Sequence, residues 1–235
     1  MPDDAPATLR LAILGAGRMG QAIRTLADDG GWQVTAMLGR DALRDRDQVA
    51  EAVGGANVAI EFTVADVAPE LVRIAARAGT PLVSGTTGWE AAQPAVHEAV
   101  HAGTGALLWS PNFAIGVHLF WRAAAEMAKL FASRPEFDAH VVETHHTAKR
   151  DAPSGTAIRL GAEVAAGLGH AVPVTSVRVG SVPGTHELLF DAPFEQLRLV
   201  HEARDRRVFA HGALVAARWL AGRRGIYTFD DVLTG

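Results

Sequence analysis

Leu9-Arg-Leu-Ala-Ile-Leu14, followed at once by Gly15-Ala-Gly17-Arg-Met-Gly20, is the stretch whose reading decides the fold. The apolar run reads as a short buried strand. Arg18 to Asp28 reads as a helix, stopped by Gly30-Gly31. G-x-G-x-x-G alone is a weak signal, but between a strand and a helix it has a mechanism. Gly15 permits the tight turn, Gly17 lets a pyrophosphate approach the backbone, and Gly20 lets helix and sheet pack closely. The helix N-terminus adds free N–H groups and a positive dipole end. The competing reading is a glycine-rich turn without a ligand.

Working outward, the alternation repeats. Gln33 to Leu38 reads as a second strand, with a polar, Arg/Asp-rich helix running to Val53. Asn57 to Phe62 is a third strand, and Asp66 to Ala78 a helix closed by Gly79 and Pro81. Pro81 to Ser84, a helix over Glu90 to Ala102, and Ala106 to Ser110 complete the series. Strands alternating with helices of this length predict βαβ units and a parallel, doubly wound α/β sheet. After Pro111-Asn112 the pattern changes. A long helix, Ile115 to Ala132, precedes a strand, Phe137 to Thr144, and a helix, Ser154 to Leu168. Three strand-like runs follow, Val174 to Val179, Glu187 to Phe190 and Gln196 to His201, which suggests an α+β second domain. The last helix, Val208 to Ala221, is apolar enough to pack back on the first domain.

Composition excludes several classes. The chain has no cysteine, so disulfide scaffolds and thiolate metal sites are out. With 49% hydrophobic residues it is not a disordered chain. The most apolar stretch, Gly105 to Ala128, is interrupted by Ser110, Asn112, His118, Arg122 and Glu126, so no membrane span is expected. MPDDAPAT at the N-terminus is acidic and lacks a basic-then-apolar leader, which predicts a cytoplasmic protein. A net charge of −4 argues against general nucleic-acid affinity.

Three further features lie at the expected carboxyl edge of the sheet. Strand two ends Met37-Leu38-Gly39-Arg40, where an acid would hold a ribose 2′-hydroxyl and an arginine accommodates a 2′-phosphate. Gly39 and Arg40 therefore favour NADPH over NADH, unless Arg40 is merely an exposed cation. Ser84-Gly-Thr-Thr-Gly88-Trp89 and Ser110-Pro-Asn112-Phe-Ala-Ile-Gly116 combine hydroxyls or an amide with glycine, groups able to bond a nicotinamide carboxamide. Glu61-Phe62-Thr63 ends strand three at the same edge.

The densest cluster is Glu143-Thr-His145-His146-Thr-Ala-Lys149-Arg150-Asp151-Ala-Pro153-Ser154-Gly155-Thr156. With the strand continued, His145, Thr147 and Lys149 share one face, and Ser154 caps the next helix. That arrangement makes a cationic wall beside a helix N-terminus, suited to carboxylates. A histidine there can transfer a proton near neutral pH. A solvated basic loop is the bland alternative. A metal site is disfavoured because strand neighbours point to opposite faces and H-E-x-x-H is absent.

GAGRMG, EFT, SGTTGW, SPNFAIGV, HHTAKRDAPSGTA and HELLF through RRVFAHGALVAARWL occur in this order. Together they resemble the 4-hydroxy-tetrahydrodipicolinate reductase (dihydrodipicolinate reductase) family of diaminopimelate and lysine biosynthesis. The resemblance implies an N-terminal Rossmann dinucleotide-binding domain with a parallel sheet, plus an α+β substrate and oligomerisation domain. It implies a domain division of 1–112 with 207–235, and 113–206. It further implies hydride delivery from NADPH or NADH to a small cyclic dicarboxylate, in a homotetramer, with no metal. Carried over by position, His145 is the proton donor and Lys149 holds substrate and stabilises charge. His146, Ser154, Gly155 and Thr156 bind carboxylate. Gly15, Ala16, Gly17, Arg18, Met19 and Gly20 take the pyrophosphate, with Gly39 and Arg40 at the ribose. Phe62, Thr63, Gly85, Thr86, Thr87, Pro111, Asn112 and Phe113 line the nicotinamide.

The chain departs from that pattern in three places. The family's glycine loop carries one more residue, its histidine core has a third histidine where this chain has Ala148, and the stretch between Gly169 and Gly184 is shorter here. Two other functions fit the glycine loop: a related Rossmann amino-acid dehydrogenase such as an aspartate dehydrogenase, and a non-catalytic NADP(H) sensor. Neither explains the H-H-x-x-K…S-G-T run.

Overall fold

β1 (Leu9–Leu14) sits inside a six-stranded sheet and is buried from Leu11 onward, as its unbroken apolar run demands. The structure is a computed structural model describing residues 8–235. Residues 1–7, with most of the N-terminal stretch read above as leaderless, lie outside the described residues. The chain forms two compact units, one ending at Phe113 and resuming over Phe209–Gly235, the other spanning Ala114–Val208.

In the first unit β1 is followed by α1 (Arg18–Asp29), β2 (Trp32–Leu38) and α2 (Arg46–Gly54). Asp45 caps α2 by accepting from the amides of Asp47 and Gln48. β3 (Val58–Glu61), α3 (Ala68–Ala78), β4 (Leu82–Ser84), α4 (Gln93–Ala102) and β5 (Ala106–Trp109) follow. α3 stops at Gly79, whose φ of 73° is the left-handed conformation that glycine adopts freely. β3 and β4 are buried along their whole length because helices cover both faces. One core cluster joins Leu14, Val72, Leu82, Trp89, Val96 and Leu107.

The chain returns to this unit through α7 (Arg207–Leu220), β10 (Gly225–Tyr227) and α8 (Phe229–Thr234). Gly212 of α7 lies so close to Phe113 that a Cβ would collide with its carbonyl oxygen. β10 adds to β5, giving the all-parallel order β2-β1-β3-β4-β5-β10. Chain direction across the sheet reverses between β1 and β3. In such sheets ligands bind outside the carboxyl ends at that point.

The second unit contains α5 (Ile115–Phe131), β6 (Asp138–His145), α6 (Gly155–Leu168), β7 (Val174–Arg178), β8 (Thr185–Ala192) and β9 (Glu195–Glu202). Its sheet runs β7-β6-β8-β9, with β6 and β7 parallel across the α6 crossover and β8 antiparallel to both its neighbours. Val141, Leu188 and Phe190 are buried, as are Trp121 and Ala124 of α5 and Leu160 and Val164 of α6. Phe131 stacks on Phe190 with ring centroids 4.1 Å apart.

Candidate active site

Three loops meet at the reversal point of the first sheet. Gly15, with φ 116°, is buried so tightly that a Cβ would strike the Phe62 carbonyl oxygen. A Cβ on Gly20 would strike the Gly15 carbonyl in turn. Only glycine lets α1 start this close to the strand. Gly17, at the N-cap of α1, has open space where a Cβ would stand, and Ala16 and Arg18 beside it are exposed. Met19 is half-buried. Glycine backbone, free helix amides and open space together fit a dinucleotide pyrophosphate. Gly39 is half-buried near Ala16 and Arg40 is exposed at the end of β2, leaving room for a phosphorylated ribose.

The β3 and β4 loops are stitched together by Glu61, which is wholly buried. Its Oε1 accepts from the Thr63 amide (2.7 Å), the Thr63 hydroxyl (2.5 Å) and the Thr86 hydroxyl (2.5 Å), and its Oε2 from Ser84 (2.6 Å). Burial pushes this carboxyl above its usual range, against the pull of those donors. The Thr86 carbonyl accepts from both indoles, Trp89 and Trp109, at 2.8 and 2.9 Å. Gly85 lies against the Phe62 ring, where a Cβ would collide, and Thr87 is exposed. In the β5 loop, the Ser110 hydroxyl donates to the Asn112 carbonyl, Pro111 is exposed, and Phe113 is buried edge-on to Phe62 and Phe229. Phe113 thus supports the Phe62 ring from beneath.

In the second unit, β6 places Glu143 and His145 on one buried face, two residues apart. Glu143 is wholly buried. Its Oε1 accepts from Arg178 Nη2 (2.7 Å) and the Ser154 amide (3.2 Å), while Oε2 lies 2.5 Å from His145 Nδ1. Burial pushes Glu143 up, but the polar groups around it, Arg178 foremost with Ser176 and Ser154, outweigh it and bring the pKa to about 2. Glu143 is therefore ionised and can only accept. The adjacent carboxylate favours the His145 tautomer with its hydrogen on Nδ1, which leaves Nε2 able to exchange a proton. Burial lowers the His145 pKa, Glu143 opposes that, and the Lys149 charge adds to the lowering. His186 stands edge-on to His145 at 5.2 Å, and burial holds it neutral, with a pKa of about 4. Glycine at 184 keeps the edge clear, since a Cβ there would lie 3.0 Å from His145 Nε2.

The continued strand expected from the sequence does not form. β6 ends at His145, and residues 146–149 turn back, with the Lys149 amide donating to the His146 carbonyl. The His146 and Thr147 amides donate to the Val182 and Gly180 carbonyls, so the pairing of this turn with the β7–β8 connection replaces the extended face. Thr147 is exposed. Lys149 Nζ is held 2.8 Å from both Asp151 oxygens, and Arg206 lies 3.1 Å from His146 Nε2. Ser154 caps α6 by accepting from the Ala157 amide, and its buried hydroxyl lies 3.3 Å from His186 Nε2. At the start of α6, Gly155 is exposed, with only open space where a Cβ would stand, and Thr156 is half-buried. Gly155 thus repeats on α6 what Gly17 does on α1, an uncovered helix N-terminus suited to an anion.

Glu143, His145 and His186 each offer a ligand atom within 4.8 Å of the others. A cation among them would stand beside the Arg178 guanidinium and displace the proton between Glu143 and His145. The donor set therefore suits a proton-carrying dyad better than a metal. Sequence alone places Glu61 and Glu143 in motifs without giving either a role, and passes over Arg178 and His186. Arg178 is visible only as a charge inside a strand, and His186 only as the residue before one.

A family model described as dihydrodipicolinate reductase, N-terminus, matches residues 9–113, and its C-terminal counterpart matches residues 116–233. The 4-hydroxy-tetrahydrodipicolinate reductase of Stenotrophomonas maltophilia is 41% identical over 239 residues, covering 96% of this chain and 98% of that protein. The enzyme of the same name from Acidiphilium cryptum is 36% identical over 250 residues, covering 97% and 98%. Among solved structures, dipicolinate-bound dihydrodipicolinate reductase from Paenisporosarcina sp. TG-14 superposes with a TM-score of 0.79 at 22% identity. It covers 94% of this chain and 97% of that one.

Proposed function

This chain belongs to the dihydrodipicolinate reductase family, and on that premise we propose how its residues carry out the reaction. It is an NAD(P)H-dependent oxidoreductase that reduces 4-hydroxy-tetrahydrodipicolinate, in diaminopimelate and lysine biosynthesis, to tetrahydrodipicolinate. When bound, the cofactor supplies hydride. Gly15 to Gly20 hold its pyrophosphate, and Phe62, Thr63, Gly85 to Thr87, and Pro111 to Phe113 enclose the nicotinamide. Gly39 and Arg40 favour NADPH, because no acid competes for the 2′-phosphate at that position.

The second unit binds the cyclic dicarboxylate and supplies the proton. Gly155 and Thr156, at the N-terminus of α6, receive one carboxylate, with Ser154 fixing the turn. Lys149 and His146 meet negative charge on the substrate. His145, protonated, donates from Nε2 while Glu143 holds Nδ1 and stabilises the imidazolium. The observation that carries this reading is the buried Glu143–His145 pair, anchored by Arg178, next to an uncovered helix N-terminus. The exposed Val177, Leu197 and Val200 of the second sheet, with Phe194 in its β8–β9 turn, supply apolar area for a homotetramer. No helix among the described residues is long and apolar enough to cross a membrane, and we place the protein in the cytoplasm.

The test is stopped-flow measurement of NADPH oxidation with freshly generated substrate. His145→Ala should slow hydride transfer roughly 10²- to 10⁴-fold while NADPH affinity persists. A near-normal rate would remove His145 from the chemistry.

A further inference from the structure

The connection between β6 and α6 carries Lys149, an ammonium on a flexible four-carbon stem. Two contacts in series fix where that stem ends. Lys149 Nζ lies 2.8 Å from each carboxylate oxygen of Asp151, and the Asp151 carbonyl in turn accepts from Arg178 Nη2 at 2.5 Å. The same Nη2 reaches Glu143 Oε1 at 2.7 Å, so one β7 side chain ties the proton-donor dyad to the lysine turn. Glu143 also holds the Ser154 amide at the far end of this connection. His145, Lys149 and the start of α6 are thereby tied together, although residues 146–153 form no helix or strand. Folding stability does not account for the Asp151 carboxylate. Its side chain is 57% exposed, and ion pairs in contact with water add little to stability.

We propose that Asp151 is a positioning residue that holds Lys149 in place before substrate arrives, with the Arg178 bond to its carbonyl as the fixed point. A long side chain ordered in advance loses less entropy when a ligand binds, so the same charge yields more affinity. Lys149 has three N–H donors, and with two engaged by Asp151 the third is left for a substrate carboxylate. This role rests on the reading of Lys149 as a substrate contact. A carboxylate that competed with substrate for the lysine would act in the opposite sense, and its removal would tighten binding.

Asp151→Asn keeps the size and the carbonyl while removing the charge that holds the ammonium. Calorimetry on the whole, NADPH-loaded chain would give the Kd of pyridine-2,6-dicarboxylate, a planar dicarboxylate probe. KM, NADPH affinity and the single-turnover hydride-transfer rate at saturating substrate would be measured beside it. The expected result is roughly 3- to 10-fold weaker dicarboxylate binding, the size of effect that ordering one long side chain exerts at a binding site. KM should rise to match, with NADPH affinity and the saturated rate near wild type. Asp151→Glu, which keeps the carboxylate, should recover most of the loss. In a Lys149→Ala background Asp151→Asn should add nothing, because Asp151 acts through Lys149. Unchanged or tighter dicarboxylate binding, or a loss that persists in full without Lys149, overturns the proposal. So does a variant that melts lower while its KM stays at the wild-type value. If Lys149→Ala alone binds the dicarboxylate as wild type does, the substrate-site reading fails first, and the role of Asp151 falls with it.

Discussion

Replacing Glu143 by glutamine withdraws one charge from the proton-donor site and changes almost nothing in volume. His145 Nδ1 lies 2.5 Å from Glu143 Oε2, a close ion pair when His145 is charged. A close contact between a charged imidazole and a buried carboxylate contributes about 1.5–3 kcal/mol. One pKa unit corresponds to about 1.4 kcal/mol, so the His145 imidazolium should lose roughly one to two units. The direction follows from the role. A general acid must start protonated, so turnover is present below its pKa and lost above it. The alkaline limb of the pH–rate profile should therefore move about one to two units toward acid, and above both limbs turnover should fall roughly 10- to 100-fold. Arg178 would lose its charged partner too, and breaking a buried pair costs about 3–5 kcal/mol, so folding must be verified first by circular dichroism and NADPH affinity. Single-turnover rates across pH decide the matter. A folded, cofactor-binding variant whose alkaline limb stays at the wild-type position would refute the dyad.

Two more outcomes follow from the same geometry. Glu143 has a folded pKa of about 2 against an ordinary 4.5, so the stability it contributes is full above pH 4.5 and is lost as pH falls toward 2. The amount is about 3 kcal/mol, and urea unfolding at several pH values should show a shallower acid loss in Glu143→Gln than in wild type. Arg40→Ala should weaken NADPH binding by roughly tenfold and leave NADH binding nearly unchanged, because only the 2′-phosphate loses a charged partner. Equal loss for both cofactors in equilibrium titrations would remove Arg40 from phosphate recognition.

Where local chemistry dictates structure, the sequence is legible. Leu9–Leu14, Gly15–Gly20 and the Ser154 cap act through nearest neighbours, and each stands where the pattern puts it. β10 and α8 escape such a reading. A three-residue strand has no period to detect, and β10 exists only because β5 offers it an unpaired edge. The turn at His146 escapes for a related reason, since the carbonyls of Gly180 and Val182, more than thirty residues away, decide its course. The Glu143 site is likewise a product of register. Ser176 and Arg178 come from β7 and His186 from β8, and strand pairing alone sets them around one carboxylate.

The first unit is completed only by β10 and α8, long after β5 in sequence, and this ordering bears on how the protein is made. β5 ends at Trp109, but its partner β10 begins at Gly225, and Phe229, which covers Phe113, comes later still. On the ribosome, the nascent first unit must wait with an open sheet edge and a bare aromatic surface while the middle of the chain emerges. The second sheet is complete at Glu202, so it can mature before β10 and α8 emerge. β10 and α8 thus act as a latch that closes only after the second unit has emerged. Chains released early would expose a strand edge to their neighbours and be the ones that aggregate.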